Sequence, residues 1–272
     1  MKKIIIISLA VSLLSSLAFV SVSTTLADKP AKVDRSVNID GATPENPVVY
    51  LGKGIDKKTG QEIEGYAIAH FAKNSAKSKP GGTVCYGFLA DGAKWKVSKP
   101  WIVDGINNGG LTSSFVLDNM TKDIAKWEDA ADGVVGSGLG IDILGIGSLS
   151  SYAITPNKYS NGKNEVTFAP INSNGVIAVT YIWGVFRGLT SQRQLTEWDQ
   201  IYSTNFNWSS TGDLTKMDFE NIATHELGHA VGMDDLYNTS CSDQTMYGYA
   251  NVGQFNKQTL ESGDIAGISL LY

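Results

Sequence analysis

The 272-residue sequence predicts an α+β fold, because strand-like runs and a few long helical patterns both occur in it. The clearest strand is the aromatic and β-branched run over residues 176–185. The clearest helix lies over residues 115–131, where apolar residues recur at steps of three and four. With 42% hydrophobic and 18% charged residues, the composition is that of a globular protein and disfavours a disordered or coiled-coil chain.

The N-terminal residues 1–27 have the pattern of a secretory signal peptide. Lys2 and Lys3 precede an apolar run over residues 4–22, and cleavage after Ala27 is predicted. The apolar run is long for a signal peptide, so a retained N-terminal membrane anchor is the alternative. Either interpretation places the rest of the chain outside the cytoplasm, and we expect an extracellular, secreted protein.

Residues 28–82 read as a polar, Lys-rich extension, either a pro-segment or a linker. Within it, short strands are predicted over residues 48–51 and 66–71. A compact domain is expected from residue 83 to residue 272. Without residues 1–27 the net charge changes from −5 to −7. No basic face remains, so we expect no nucleic-acid partner, and a membrane partner only if the anchor is retained.

The elements of this domain follow in order along the chain. Ser114 is predicted to cap the helix over residues 115–131. Further strands are expected over residues 86–90, 95–103, 165–169, 176–185 and 197–204. Thr215 and Asp218 resemble a capping box that opens a second helix, which ends at Gly232. A last helix is predicted over residues 262–271.

The second helix contains the sequence His225-Glu226-Leu227-Gly228-His229. Residues i and i+4 are neighbours on one helix face, so both imidazoles can bind one ion with Glu226 beside it. Zinc suits two such imidazoles, and a catalytic site also needs a third protein ligand and an open position for water. The sequence therefore predicts a zinc site with His225 and His229 as ligands.

The position of the remaining acidic and histidine residues limits the candidates for the third metal ligand. Gly232 allows the helix to stop, and Asp235 follows three residues later, where its carboxylate can turn back towards the ion. Asp234 is one alternative. The other is His70, the only remaining histidine, which lies in the polar extension.

The run His-Glu-x-x-His-x-x-Gly-x-x-Asp, followed by a turn containing Met246, resembles the metzincin clan of zinc endopeptidases. The closing segment, residues 260–272, is similar to the last helix of the matrixin branch. The resemblance covers about residues 83–272. It implies a metzincin-like zincin catalytic domain with a twisted mixed sheet, a long active-site helix and a Met-turn beneath the metal. Matrixins have a third histidine where this chain has Asp235, a departure similar to the snapalysin-like variants.

The resemblance implies a secreted zinc metalloendopeptidase that hydrolyses extended peptide or protein substrates. Glu226 matches the catalytic base, Met246 matches the methionine of the turn, and Zn²⁺ is the expected cofactor. A structural Ca²⁺ ion is a secondary expectation. The alternative is a secreted, zinc-stabilised binding or surface protein without turnover, against which the intact Glu226 argues.

Two cysteines, Cys85 and Cys241, are present in a chain predicted to be exported, which favours one disulfide. A thiolate of Cys85 that caps the metal in a latent form is the alternative.

Two further hypotheses concern the substrate. The run Ile177–Trp183 is either a sheet edge that binds the peptide as an added strand or a buried strand. Tyr247 and Tyr249 either line a specificity pocket or belong to the core. Substrate identity, oligomeric state and the fate of residues 28–82 cannot be read from the sequence.

Overall fold

A computed structural model describes residues 34–73 and 84–272. The expected signal peptide or anchor, residues 1–27, lies outside these ranges, and so does most of the junction before residue 83. Within them, no helix combines the length and the apolar character that crossing a bilayer requires. Residues Arg35–Tyr272 form one compact unit; of the other unit, Met1–Asp34, only Asp34 is described.

The described ranges contain three α-helices and ten strands. The helices are α1 (Ser113–Ala130), α2 (Phe219–Val231) and α3 (Ser262–Leu271). The strands are β1 (Val48–Ile55), β2 (Glu62–Ala72), β3 (Trp101–Val103), β4 (Gly147–Leu149), β5 (Asn164–Ala169), β6 (Val176–Val185), β7 (Gln194–Ser203), β8 (Trp208–Ser209), β9 (Met217–Asp218) and β10 (Tyr249–Ala250).

Eight strands build one mixed sheet in the order β1-β2-β6-β7-β5-β3-β4, and β10 also pairs with β2. Strands β7, β5, β3 and β4 run parallel to one another. Strand β6 is antiparallel to both of its neighbours, β2 and β7. The remaining strands, β8 and β9, form a separate parallel pair just before α2. The α+β expectation is confirmed, and a mixed sheet with three helices agrees with a matrixin-like catalytic domain.

The sheet has an apolar core on each face. One core lies between the sheet and the helices and includes Trp127 of α1, Trp198 of β7 and Phe219 of α2. Trp127 also donates its indole N–H to the Thr224 carbonyl, so α1 is fixed against α2. The other core includes Val37, which precedes the strands. Strand residues alternate between faces, so the position of a residue in a strand decides whether it can reach α2.

The predicted extension contributes two strands to this sheet. Strands β1 and β2 form an antiparallel hairpin, and β2 pairs with β6 from Glu64 to Phe71. A linker interpretation therefore does not hold for residues 48–72, whose apolar alternation extends over more residues than the predicted short strands. Whether residues 28–82 are removed as a pro-segment stays a prediction.

Several predicted elements match the structure closely. Strand β6 and helix α3 have the expected bounds, and β5 and β7 differ from theirs by one to three residues. Helix α1 begins at Ser113, because Thr112 and not Ser114 accepts the hydrogen bond from the Phe115 N–H. Helix α2 begins after Asp218, which is its N-cap, because Thr215 is held in a turn by Asp213.

Two predicted strands were wrong or too long. Residues 86–90 form no strand; Leu89–Asp91 is a 3₁₀ turn, in which Ala90 and Asp91 adopt positive φ angles. The strand predicted over residues 95–103 is reduced to β3, because Pro100 has no N–H for a sheet ladder.

Candidate metal and catalytic site

Helix α2 carries His225, Glu226 and His229 in its last two turns. The Asp218 side chain caps its first turn by accepting a hydrogen bond from the Asn221 N–H. Gly232 ends the helix with a φ of 108°, a backbone conformation that residues other than glycine rarely adopt. A short turn then returns the chain to the histidine face at Asp235.

Backbone carbonyls fix both imidazole rings. His225 Nδ1 lies 2.7 Å from the Thr245 carbonyl oxygen, and His229 Nδ1 lies 3.0 Å from that of Met233. An Nδ1–H donated to each carbonyl leaves each Nε2 with its lone pair free. This is the tautomer that a histidine adopts as a metal ligand.

Asp235 Oδ1 points at both imidazoles. It lies 3.2 Å from His225 Nε2 and 3.5 Å from His229 Nε2. Ligand atoms about 2.0–2.1 Å from a tetrahedral ion lie about 3.3–3.4 Å from one another. The other carboxylate oxygen, Oδ2, accepts a hydrogen bond of 2.8 Å from the Tyr237 hydroxyl, which orients the carboxylate. The spacing of these three donor atoms therefore fits a zinc ion.

The same three donor atoms are buried and have no hydrogen-bond partner among the described residues. Burying polar atoms without partners is costly, and native proteins rarely leave several of them together. In the described part of the chain, two groups of side chains could hold a metal ion: His225, His229 and Asp235, and His70, His225 and Glu226. In the second group the His70 and Glu226 atoms contact each other, whereas the donor atoms of the first have no hydrogen-bond partner in that part of the chain. Zinc fits this set, whereas nothing here supports the expected calcium ion.

Burial opposes ionisation of Asp235, but the nearby imidazoles of His229 and His225 hold its pKa well below the ordinary value. Burial likewise disfavours the charged form of His229, yet the Asp235 carboxylate outweighs it and raises the His229 pKa to about 9. His225 has its pKa lowered to about 4, mainly by burial. Without a metal ion, Asp235 and His229 are therefore an ion pair, and His229 carries a second proton that a divalent cation would displace on binding.

Glu226 is completely buried, and both of its carboxylate oxygens are engaged. Oε1 lies 3.0 Å from His70 Nδ1, and Oε2 accepts a hydrogen bond of 2.5 Å from the Thr180 hydroxyl. Burial raises the Glu226 pKa to about 7, although His229 and the Thr180 hydrogen bond oppose the shift. A carboxyl group with a pKa near neutrality can both accept and return a proton.

Met246 lies beneath α2, where its side chain is completely buried. Gly228, between the two histidines, leaves room for it, since a Cβ at that position would collide with the Met246 sulfur. Asp264 of α3 holds the turn by accepting hydrogen bonds from the N–H groups of Thr245, at 2.8 Å, and Met246. The position agrees with the turn beneath the metal that the resemblance implies for Met246.

Cys85 and Cys241 form a disulfide, as predicted. It joins the segment before the first 3₁₀ turn to the loop that follows Asp235. The Cys85 sulfur is therefore unavailable as a thiolate ligand, and the alternative of a Cys85-capped metal does not hold in this structure.

The structure brings Asp235, and not Asp234, to the histidine nitrogens. The Asp234 Oδ1 instead accepts a hydrogen bond from the Asp235 N–H. His70 is outside the group of His225, His229 and Asp235, but its ring centroid lies 4.0 Å from that of His225. Burial and the nearby His225 lower the His70 pKa well below its ordinary value, so the ring is neutral.

Sequence reasoning considered His70 only as a metal ligand and missed its contact with Glu226; it also missed Thr180 and Lys257. The alternation of β2 provides a signal for His70, because it shares the face of Ile68, which packs in the helix-side core. Lys257 is buried and donates to the Tyr247 and Tyr249 carbonyls, so it fixes the segment after Met246. Burial lowers its pKa to about 7. No motif predicts a buried lysine in this loop.

The structure shows the surroundings of the residues in the two substrate hypotheses. Strand β6, which contains Ile177–Trp183, is paired along both edges, with β2 on one side and β7 on the other. Tyr247 and Tyr249 are buried in the second core, next to Phe71. In this arrangement, Ile177–Trp183 is therefore a buried strand and not a free sheet edge, and the two tyrosines belong to the core.

Residues 159–272, less than half of the chain, match the family model for matrixins. The matched segment contains α2, Asp235, Met246 and α3. No curated protein matches the chain. The matrixin resemblance is thereby confirmed over residues 159–272, while the third-ligand role of Asp235 stays a prediction, and this family points to a hydrolase that acts on proteins or peptides. The protein is matrixin-like over residues 159–272, a similarity that indicates a zinc-dependent metalloprotease.

Proposed function

We propose that the protein is a secreted zinc endopeptidase in which His225, His229 and Asp235 hold the metal and Glu226 is the catalytic base. One observation carries the proposal. Three buried donor atoms, spaced 3.2 and 3.5 Å apart around Asp235 Oδ1, converge without hydrogen-bond partners on the face of α2 that also bears Glu226.

When bound, zinc would polarise a peptide carbonyl and increase the acidity of a water molecule. The residues of the chain supply the remaining steps. Glu226 accepts a proton from the attacking water and returns it to the amine nitrogen as the peptide bond breaks. The carbonyls of Thr245 and Met233 keep each imidazole in the ligating tautomer throughout.

Secretion is part of the proposal, and two features support it. The apolar run after Lys2 and Lys3 has the pattern of an export signal. The Cys85–Cys241 disulfide is a bond that persists in oxidising compartments outside the cytoplasm.

One observation favours the alternative of a zinc-stabilised binding or surface protein without turnover. Both oxygens of Glu226 are engaged, by His70 and Thr180, so in this arrangement a water molecule has to compete with two buried partners for the base. A test must therefore measure metal binding and hydrolysis separately.

The test is the variant Glu226→Ala in exported protein, including its processed forms. We expect zinc content to stay near that of the unchanged protein, while hydrolysis in a mixed peptide library falls by at least about two orders of magnitude, because proton transfer is lost and the ligands remain. Elemental analysis and mass-spectrometric mapping of cleavage sites, with and without a chelator, provide the measurements.

The matched control is Glu220→Ala, in the first turn of the same helix, which should retain both zinc and activity. Loss of zinc from Glu226→Ala would show that Glu226 belongs to the metal shell and would contradict its assignment as the base. Zinc without hydrolysis in every form of the unchanged protein would favour the binding protein.

A further inference from the structure

We propose that the β1–β2 hairpin, residues 48–72, is an autoinhibitory segment that occupies the place of an extended peptide substrate and engages Glu226 through His70. The inference rests on the proposed function, since it assigns a regulation to that same site. It follows from strand pairing, from the contact at Glu226 and from the state of the cysteines.

The first argument is topological. Strands β5, β6 and β7, helix α2, Met246 and α3 all lie inside the matrixin-like residues 159–272. Within that segment β6 pairs with β7 along one edge only. Its other edge is covered by β2, which comes from outside the segment. A sheet edge beside a catalytic helix is where an extended peptide can add as a strand, and here the hairpin takes that position.

The second argument is that β2 is held from both sides, as a peptide in a cleft is. It runs antiparallel to β6 and parallel to β10, the short strand after Met246. Phe71 has Val176 of β6 as its partner on one side and Tyr249 of β10 on the other. The backbone of β2 therefore passes between the two walls that flank the candidate site.

The third argument is the contact with the base. His70 is the β2 residue that faces α2 at the site, and its Nδ1 lies 3.0 Å from Glu226 Oε1. His70 is 1% exposed and Glu226 is completely buried. With Thr180 on the other oxygen, each oxygen of the base already has a buried partner, and the partner on Oε1 leaves only when the strand that carries His70 moves away.

The cysteines give an independent reason. Because Cys85 is bonded to Cys241, no thiolate can keep the enzyme latent, and the hairpin is the segment in contact with the base. Cys85 follows the hairpin in the chain, so a cut between Lys73 and Val84 would separate the hairpin from the catalytic part and leave the disulfide intact.

The hairpin also leaves part of the cleft unfilled. A partly open cavity of about 330 Å³ lies between Tyr66 and Ile68 of β2 and Ile182 and Phe186 near the end of β6. The cavity also reaches Asp234, so part of the cleft beside the candidate metal site stays open while the hairpin is in place.

The experiment uses the full zinc-loaded chain in which residues 75–79 are replaced by the recognition sequence of a site-specific protease. After the cut, the hairpin is removed by gel filtration in sub-denaturing urea. Binding of a peptide hydroxamate, an extended peptide with a zinc-chelating group, is then measured by calorimetry before and after the cut. Circular dichroism monitors folding, and a peptide library reports hydrolysis.

We expect at least about tenfold tighter binding of the hydroxamate after removal of the hairpin. Added synthetic peptide 48–72 should displace the hydroxamate. A peptide that carries His70→Ala should do so at least about tenfold less well, while the matched control with Lys53→Ala, at an exposed position of β1, should act as the unchanged peptide does. Using peptides separates the role of His70 from any folding defect.

Equal hydroxamate binding before and after removal would overturn the inference, and so would unfolding of the cut protein, which would make the hairpin a permanent part of the fold. Tighter hydroxamate binding without hydrolysis of any peptide would support the occluded cleft and reject the proposed function. A chain that binds no zinc in either form would reject both.

Discussion

Asp235 is the residue in which this chain departs from the matrixin pattern, and its role as a ligand can be tested directly. We expect Asp235→Ala to lose zinc, because one of three protein ligands disappears, and Asp235→His to keep it, because imidazole can take the same tetrahedral position. His70→Ala should keep its zinc, since His70 belongs only to the other group, with His225 and Glu226, and not to the group of His225, His229 and Asp235. Zinc stoichiometry by elemental analysis is the measurement.

The opposite pattern, with zinc retained in Asp235→Ala and lost in His70→Ala, would make His70 the third ligand. Asp234→Ala is the matched control, because it removes a neighbouring carboxylate whose contact is with the Asp235 backbone.

At the same scale, the candidate ligands could be predicted because they are local in sequence. His225, His229 and Asp235 lie within one helix end and one turn, where the spacing limits which side chains can meet, although it left Asp234 and His70 open as third ligands. His70 and Thr180 reach Glu226 from strands 156 and 46 residues away. Contacts of that kind depend on strand order and register, which no local pattern specifies.

At the scale of elements, strong periodicity predicted type and bounds well, as for β6 and α3. Predicted elements were wrong where the local backbone conformation differed from the one that the hydrophobic pattern indicates. The positive φ angles of Ala90 and Asp91 replaced an expected strand by a turn. The hairpin was underestimated for a different reason: β1 is an edge strand with exposed residues, so its composition resembles that of a linker.

The disulfide links two loops that are 156 residues apart. Closing a loop of this length lowers the conformational entropy of the unfolded chain. In the chain-entropy model this raises the free energy of unfolding by about 5 kcal/mol, which is an upper figure. We expect the double variant Cys85→Ala/Cys241→Ala to lose free energy of unfolding up to that amount in urea titrations. Native protein should contain no free thiol and should show two after denaturation with reduction.

A Cys85 that becomes alkylatable only when zinc is removed would contradict this prediction, because it would place the thiolate on the metal.

At the scale of the whole molecule, Asp199 contributes a part of the stability that declines as the pH rises. Burial, together with Glu197 and Glu165, raises its pKa well above 3.8. The folded state therefore binds a proton that the unfolded state has already released. The free energy of unfolding falls from pH 3.8 upward until the raised folded pKa is passed.

The variant Asp199→Asn should remove this part of the decline, because an amide does not ionise and can still accept the hydrogen bond from the Glu165 N–H. Urea unfolding at about pH 5 and about pH 8 measures the slope. Asp213→Asn is the control, at a surface carboxylate whose pKa is lowered by hydrogen bonds from Thr215. An unchanged slope in Asp199→Asn would show that Asp199 is ionised in the folded protein.

The hydrogen bonds of Asp264 determine when, during synthesis of the chain, the metal site can assemble. Thr245, whose carbonyl orients His225, is itself held by Asp264 of α3. The imidazole nearest the start of α2 therefore depends on a helix made some forty residues later. We expect chains that stop before Ser262 to retain no zinc in equilibrium dialysis. During synthesis and export the ligand set would then stay incomplete until α3 has emerged, so the cell that makes the protein would not contain an assembled site on the unfinished chain.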